Sequence, residues 1–271
     1  VRTIIIIPAR LASTRFPAKP LALLTGPDGA ARPAIHYTWA AAQAAAARLP
    51  GDADCVIATD DDSIAAACQN QGMAVVMTPA SCRNGTERCA AALGQLPATP
   101  DLVINLQGDA PLTPAAMVAE VAATLAGNAG LAMATAVVPA SPTVLAHLQA
   151  DAAAGRVGGT TAVCARDGRV LYFSKSIIPH VPPGSTPVQP VLLHVGLYAY
   201  RPVALAAYAA AGPAPLELQE GLEQLRFLDA GLPVGVAHCP APAWELIELN
   251  NPDDVPLIEA QLARRAAVEP I

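Results

Sequence analysis

Apolar residues in this chain fall into short unbroken runs separated by alanine-rich stretches of helical spacing. Thr3-Ile4-Ile5-Ile6-Ile7, Cys55-Val56-Ile57-Ala58, Ala74-Val75-Val76-Met77 and Leu102-Val103-Ile104-Asn105-Leu106 read as strands. Runs that are apolar at successive positions fit strands covered on both faces, as inside a parallel sheet. Between them, residues 33–48 predict a helix with Pro in its first turn, and 63–71 predict a second. A third runs to about Gly94 with Thr86 as its cap. Further along, 114–126 and 141–154 predict helices, 132–138 a strand, and 161–173 a hairpin turning at Asp167-Gly168. A proline-rich stretch, 180–190, reads as a mobile connection. His194, Gly196, Tyr198 and Tyr200 then share one face of a strand, because strand side chains alternate. Residues 215–226 predict one amphipathic helix with largely solvated acids, 244–249 a strand, and 252–267 a last helix. The alternation predicts an α/β fold: a doubly wound, mostly parallel sheet with a small antiparallel insertion in the second half.

Length and charge narrow the function classes. The 271 residues suffice for one large α/β domain, and the net charge of −6 comes with no basic stripe. Nonspecific nucleic-acid binding is therefore not expected. The six cysteines include no C-x-x-C pair, and a disulfide framework belongs to small secreted chains, so free thiols are expected. No signal-peptide pattern opens the sequence and no apolar run suits a bilayer, which predicts a cytoplasmic protein with no membrane partner.

The chemistry sits where strands end, the edge at which open α/β sheets bind ligands. After the isoleucine run comes Pro8-Ala9-Arg10-Leu11-Ala12-Ser13-Thr14-Arg15-Phe16-Pro17-Ala18-Lys19-Pro20. Three prolines forbid a helix there. Arg10, Arg15 and Lys19 on one short loop repel one another unless an anion sits among them, and a polyphosphate meets that need. The plainer alternative is a solvated basic loop. After the second strand, the acids Asp60, Asp61 and Asp62 resemble a metal cluster, but Asp61 and Asp62 suit a helix start better. Asn84-Gly85-Thr86 makes a turn into a helix amino terminus, whose backbone N–H groups suit an acceptor. Gln107-Gly108-Asp109 follows the fourth strand, and one carboxylate with triphosphate oxygens is a usual way to hold Mg²⁺. His194, alone on its strand, is by itself more often a core residue than a catalyst.

Pro8-Ala9-Arg10-x-x-Ser13-Thr14-Arg15-x-Pro17-x-Lys19-Pro20-Leu21 resembles the amino-terminal signature of the 3-deoxy-manno-octulosonate cytidylyltransferases, which make CMP-Kdo. Gln107-Gly108-Asp109, Leu171-Tyr172-Phe173-Ser174-Lys175, His194-x-Gly196-x-Tyr198-x-Tyr200-Arg201 and Leu222-Glu223-Gln224-Leu225-Arg226 extend the resemblance along nearly the whole chain. It implies a nucleotide-diphosphosugar transferase fold, CTP and a sugar acid as substrates, Mg²⁺ as cofactor, and a homodimer. By it, Ala9, Arg10, Ser13, Arg15, Lys19, Asn84, Gly85, Thr86 and Gln107 are expected at the nucleotide. His194, Tyr198, Glu223 and Gln224 are expected at the sugar acid, and Arg10, Arg15, Lys19 and Asp109 as the catalytic set. A segment at about 156–200 would cover the pocket and make the dimer contact within a single domain. Three departures stand out: Ala110 where relatives carry Glu, Gly159-Thr160-Thr161 where they carry Asn and Lys, and Asn250 where they carry a metal-binding Asp. Asn250 can ligate Mg²⁺ without charge beside Asp109, or Glu248 substitutes for it. These departures keep two alternatives open: transfer to another acid (an amino-Kdo, a nonulosonate or a phosphonate), or nucleotide binding without turnover.

Overall fold

The computed structural model describes residues 1–11, 16–182 and 184–269. It divides the chain into two compact units, Val1–Ala119 with Pro242–Ile271, and Glu120–Ala241. Among the described residues no helix is long and apolar enough to cross a membrane.

The first unit opens with β1 (Arg2–Ala9), buried at every position after Arg2. A single 3-10 turn at Lys19–Leu21 leads into a small antiparallel hairpin, β2 (Leu23–Thr25) and β3 (Ala31–Pro33). The apolar pattern does not reveal this hairpin, because three-residue strands are too short to show a period. Helix α1 (Ala34–Ala46) follows, then β4 (Asp52–Thr59), α2 (Asp62–Gln69), β5 (Val75–Met77), α3 (Gly85–Leu93) and β6 (Leu102–Leu106); α4 (Ala115–Ala126) begins in this unit and ends in the second. Strands β6, β1, β4 and β5 are neighbours in that order and all parallel. Ile5 stands beside Ile104 on one side and Cys55 on the other. Parallel register brings the carboxyl ends of β1, β4 and β6 to one edge.

Two helix starts explain themselves locally. The Asp61 carboxylate accepts from Ser63 N and Ile64 N, which is the capping role expected of that acid. At α3 the cap is Asn84, not Thr86: Asn84 Oδ1 accepts from Glu87 N at 2.8 Å, while Thr86 is buried inside the first turn. Asn reaches the third residue's N–H from the extended conformation it adopts here.

The second unit contains β7 (Met133–Pro139), α5 (Pro142–Ala153), β8 (Thr161–Cys164), β9 (Val170–Ser174), β10 (Leu192–Tyr200), α6 (Pro202–Ala211), α7 (Pro215–Glu220), α8 (Leu225–Asp229) and β11 (Val234–His238). Strand β11 runs parallel to β7; β7–β10, β10–β8 and β8–β9 pair antiparallel, which supplies the antiparallel part of the fold. A bulge between Val195 and Tyr198 takes Gly196 out of the alternation. His194 and Tyr198 nevertheless share a face, because their partners on β7, Val137 and Thr135, are two residues apart.

The single helix expected over 215–226 is instead two short helices. Gly221 adopts a left-handed conformation (φ 62°) that ends α7. Its acids are not a solvated face either. Glu217 is buried and takes both arms of the buried Arg226 guanidinium, at 2.6 and 2.7 Å, with Arg226 lying over the Tyr208 ring. The break at Gly221 lets α8 bring Arg226 back onto α7.

The chain then returns to the first unit. Residues 244–249, expected as a strand, have no regular structure: Leu249 N donates to Asp109 O, and Glu245 N to the Gln261 side chain, so no ladder forms. Helix α9 (Asp254–Ala266) follows. Trp244, Leu249, Ile258 and Leu262 join Leu24, Tyr37 and Leu112 in one buried cluster, which holds this segment to the unit where the chain began. Removing one partner of a buried ion pair strands the other charge. Arg226→Met is therefore expected to lower unfolding free energy by about 3–5 kcal/mol, and the double replacement Glu217→Leu/Arg226→Met by clearly less; urea denaturation of the three proteins checks this.

Candidate active site

Two groups of candidate residues emerge, one in each unit. In the first unit the Lys19 ammonium contacts the Asp109 carboxylate, across ninety residues of chain, with both side chains only 17 and 20 % exposed. Lys19 is placed by the 3-10 turn, whose Leu21 N donates back to Ala18 O at 2.8 Å. Asp109 sits on the turn that leaves β6, where Gly108 N bonds Pro8 O at 3.3 Å and Gly108 O accepts from Thr38 Oγ1 at 3.1 Å. A Cβ at Gly108 would lie 2.6 Å from Pro8 O, so the close approach of this turn to β1 requires glycine. Ala9, the last residue of β1, is buried at the same edge. Arg10 is exposed and reaches Arg83 O at 3.5 Å. Ser13 and Arg15 lie outside the described residues.

The start of α3 closes on the same strand. A Cβ at Gly85 would fall within 2.8 Å of Gln107 Nε2 and 3.3 Å of Asn105 Nδ2, so the Asn84-Gly85-Thr86 turn lies against Gln107 and Asn105. Gln107 Nε2 itself donates to Asn105 Oδ1 at 3.2 Å. Asn105 was not singled out from the sequence, although an amide inside a five-residue apolar strand was a signal for it. Arg88 was also missed. Buried, it donates to Thr78 Oγ1 (2.6 Å) and Asp60 Oδ2 (3.1 Å), fixing α3 to the ends of β4 and β5.

Asn250 joins this group through its neighbour: Leu249 N donates to Asp109 O at 2.8 Å, and Asn250 N is held by Asp254 Oδ2 at 2.8 Å. Glu248 is exposed. No cluster of three His, Cys, Asp or Glu suited to a metal occurs among the described residues. The Asp109 carboxylate beside Lys19 is a hard oxygen donor that suits a cation taking its remaining oxygens from water and substrate phosphates, as Mg²⁺ does.

The second unit holds the other group. His194 packs between Phe173 and Tyr198, with ring centroids 5.0 and 5.5 Å away. Thr135 Oγ1 donates its hydrogen to Leu197 O at 2.7 Å, so it accepts from His194 Nε2 at 3.0 Å and leaves His194 Nδ1 as an acceptor. Burial pushes the imidazole pKa down to about 3. Tyr198 is buried and stacks on Tyr200. Glu223 and Gln224 lie in the turn between α7 and α8. Glu223 is half-buried; Gln224 is buried, and its Nε2 has no partner among the described residues. Such an orphan donor suits an incoming oxygen. All six cysteines are free, and burial raises Cys55 to about 12 and Cys68, Cys164 and Cys239 to about 11, so these four are poor nucleophiles.

Known proteins share this chain's sequence and architecture. A family model described as cytidylyltransferase matches residues 4–234. The 3-deoxy-manno-octulosonate cytidylyltransferase of Maricaulis maris (strain MCS10) is 39 % identical over 260 residues, spanning 95 % of this chain and 96 % of that protein. The enzyme of the same name from Myxococcus xanthus (strain DK1622) is 40 % identical over 265 residues, spanning 97 and 98 %. A solved CMP:2-keto-3-deoxy-manno-octonic acid synthetase in complex with CTP superposes with a TM-score of 0.81 at 29 % identity, covering 98 % of this chain and all of that one.

The His194 environment has a measurable consequence. The folded state keeps the imidazole neutral down to about pH 3, whereas the unfolded chain protonates near 6.5. Its contribution to stability is thus present above pH 6.5 and is lost as pH falls toward 3, at no more than about 1.4 kcal/mol per pH unit. NMR of the ring protons is expected to show no His194 titration between pH 5 and 8.

Proposed function

Because the chain belongs to the cytidylyltransferase family, alongside the 3-deoxy-manno-octulosonate cytidylyltransferases, we propose that it transfers CMP from CTP to 3-deoxy-manno-octulosonate with release of pyrophosphate. The anomeric oxygen of the sugar acid attacks the α-phosphorus in line. A new P–O bond forms as the bond to the β-bridging oxygen breaks. The electron pair leaves with pyrophosphate and the hydroxyl proton passes to solvent. Arg10, Arg15 and Lys19 take the triphosphate and neutralise the charge that builds on the leaving group. The turn Asn84-Gly85-Thr86, with Gln107, holds the cytidine. In the second unit His194 offers a neutral imidazole acceptor, and Gln224 an unpaired donor, to the sugar acid; Tyr198 and Glu223 complete that set. A base with so low a pKa is an orienting partner and a weak proton acceptor. Mg²⁺, held by Asp109, Asn250 and phosphate oxygens, would supply Lewis-acid withdrawal of charge from the reacting phosphate. Cytoplasmic residence and a homodimer built on residues 156–200 belong to the same proposal and are supported by the sequence.

The observation that carries this reading is the meeting of Lys19 with Asp109 in a chain of this family. A phosphate-loop cation and a metal-binding carboxylate have one reason to share a site, the substrate that both engage. Pyrophosphate release, measured with each of the four nucleoside triphosphates and then with a panel of sugar acids, is expected only with CTP and to be fastest with 3-deoxy-manno-octulosonate. No release with that pair would refute the assignment.

The metal residues give a paired prediction. Asp109→Asn is expected to lower kcat by about 100-fold or more. Asn250→Asp adds a charge to a site that now offers an amide, and is expected to lower the magnesium concentration for half-maximal rate by about 10-fold. Magnesium titrations of wild-type and variant enzymes at saturating CTP check both.

A further inference from the structure

The turn that carries Asp109 is fixed one carbonyl at a time. Gly108 O accepts from Thr38 Oγ1 (3.1 Å), Asp109 O from Leu249 N (2.8 Å), and Ala110 O from Thr113 Oγ1 (3.0 Å). Pro111 O accepts from Arg265 Nη1 (2.8 Å) and Leu112 O from Trp244 Nε1 (2.7 Å). Three of these five donors, those of Trp244, Leu249 and Arg265, lie beyond residue 242, in the segment that returns to the first unit.

Arg265 is the costly member of this set. Its side chain is fully buried, yet Nε and Nη2 make no hydrogen bond among the described residues. Its surroundings are the Glu269 carboxylate, 3.4 Å from Nε, and the Trp244 ring, 5.9 Å from the guanidinium carbon. Methionine would fill the same space without burying a cation. What methionine lacks is the donor to Pro111 O, two residues past Asp109. The same holds for Trp244, whose ring packs in the apolar cluster while its N–H reaches the next carbonyl along.

We propose that Trp244 and Arg265 clamp the turn after β6 so that the Asp109 carboxylate is held in position for the nucleotide-bound cation, Arg265 being a positioning residue for the reaction. This rests on the role given to Asp109 above. Magnesium demands near-ideal octahedral geometry, and a functional side chain must be held to within about 0.5 Å to work. A turn with its outer carbonyls released loses that tolerance. Both clamp side chains are buried and bond backbone carbonyls, so the effect is expected in metal affinity and kcat, with the KM for the sugar acid spared.

The test uses the full chain and Mn²⁺ as the probe ion, its binding followed by electron paramagnetic resonance with CTP present and no acceptor. Arg265→Met is expected to weaken Mn²⁺ binding by about 10–100-fold, the range typical of outer-shell partners. Trp244→Phe, which keeps the ring and loses the N–H, is expected to shift it the same way by less. Arg265→Lys restores one donor, the number the arginine uses, and is expected to recover most of the affinity. A purely structural role would lower melting temperatures and leave Mn²⁺ affinity per folded molecule unchanged. That outcome in both Arg265→Met and Trp244→Phe overturns the clamp; if Arg265→Met does not fold, it does so in Trp244→Phe alone. A folded Arg265→Lys without recovery overturns the donor role. Wild-type protein that binds no Mn²⁺ with CTP, or that matches Asp109→Asn in doing so, refutes instead the reading of Asp109 on which the clamp rests.

Discussion

Strands β1 and β6 are parallel neighbours, so whatever follows each of them emerges at the same edge of the sheet. That constraint lets a lysine near the start of the chain meet a carboxylate ninety residues later. An antiparallel pairing would have sent the two loops to opposite ends. The pairing is secured by side chains that do no chemistry, above all the isoleucines at 5, 6 and 7, which are wholly buried. Glycine at 108 allows the final approach, where the turn after β6 comes against the backbone of Pro8.

Much of this was legible in advance, for physical reasons. Strands covered on both faces leave unbroken apolar runs, and β6 has the bounds that its five residues predict. The meeting of Lys19 with Asp109 was readable because the loops that leave two parallel buried strands emerge at one edge of the sheet. Where the signal was weak, the fold departs from the pattern. The apolar periodicity of 215–226 continues through Gly221, but glycine's tolerance of positive φ ends the helix there. Glu217 reads as solvated, and only the approach of Arg226 makes its burial possible. Residues 244–249 are mostly apolar and read as a strand, yet among the described residues their backbone finds single partners and no neighbouring strand. The roles of Trp244 and Arg265 had no sequence signal at all, since both act on backbone carbonyls, which every residue has.

Buried guanidinium groups do much of the fixing in both units. Arg88 ties α3 to Thr78 and Asp60; Arg226 draws α7 and α8 together through Glu217; Arg265 reaches Pro111. The three differ in how fully they are matched. Arg226 has a bidentate carboxylate and an aromatic face, the most complete set of partners. Arg265 has a single good hydrogen bond and an ion pair with Glu269 at 3.4 Å, and burial pushes its pKa down.

The first unit is discontinuous, with residues 242–269 completing a core begun by residues 1–119. On the ribosome the early part therefore emerges with an open face and waits for the last helix. At about 5–20 residues per second this delay lasts on the order of ten seconds. The apolar groove formed by Leu24, Tyr37 and Leu112 stays uncovered for that time, while the second unit already has its whole sequence. Biosynthesis thus completes last the unit in which Lys19 meets Asp109.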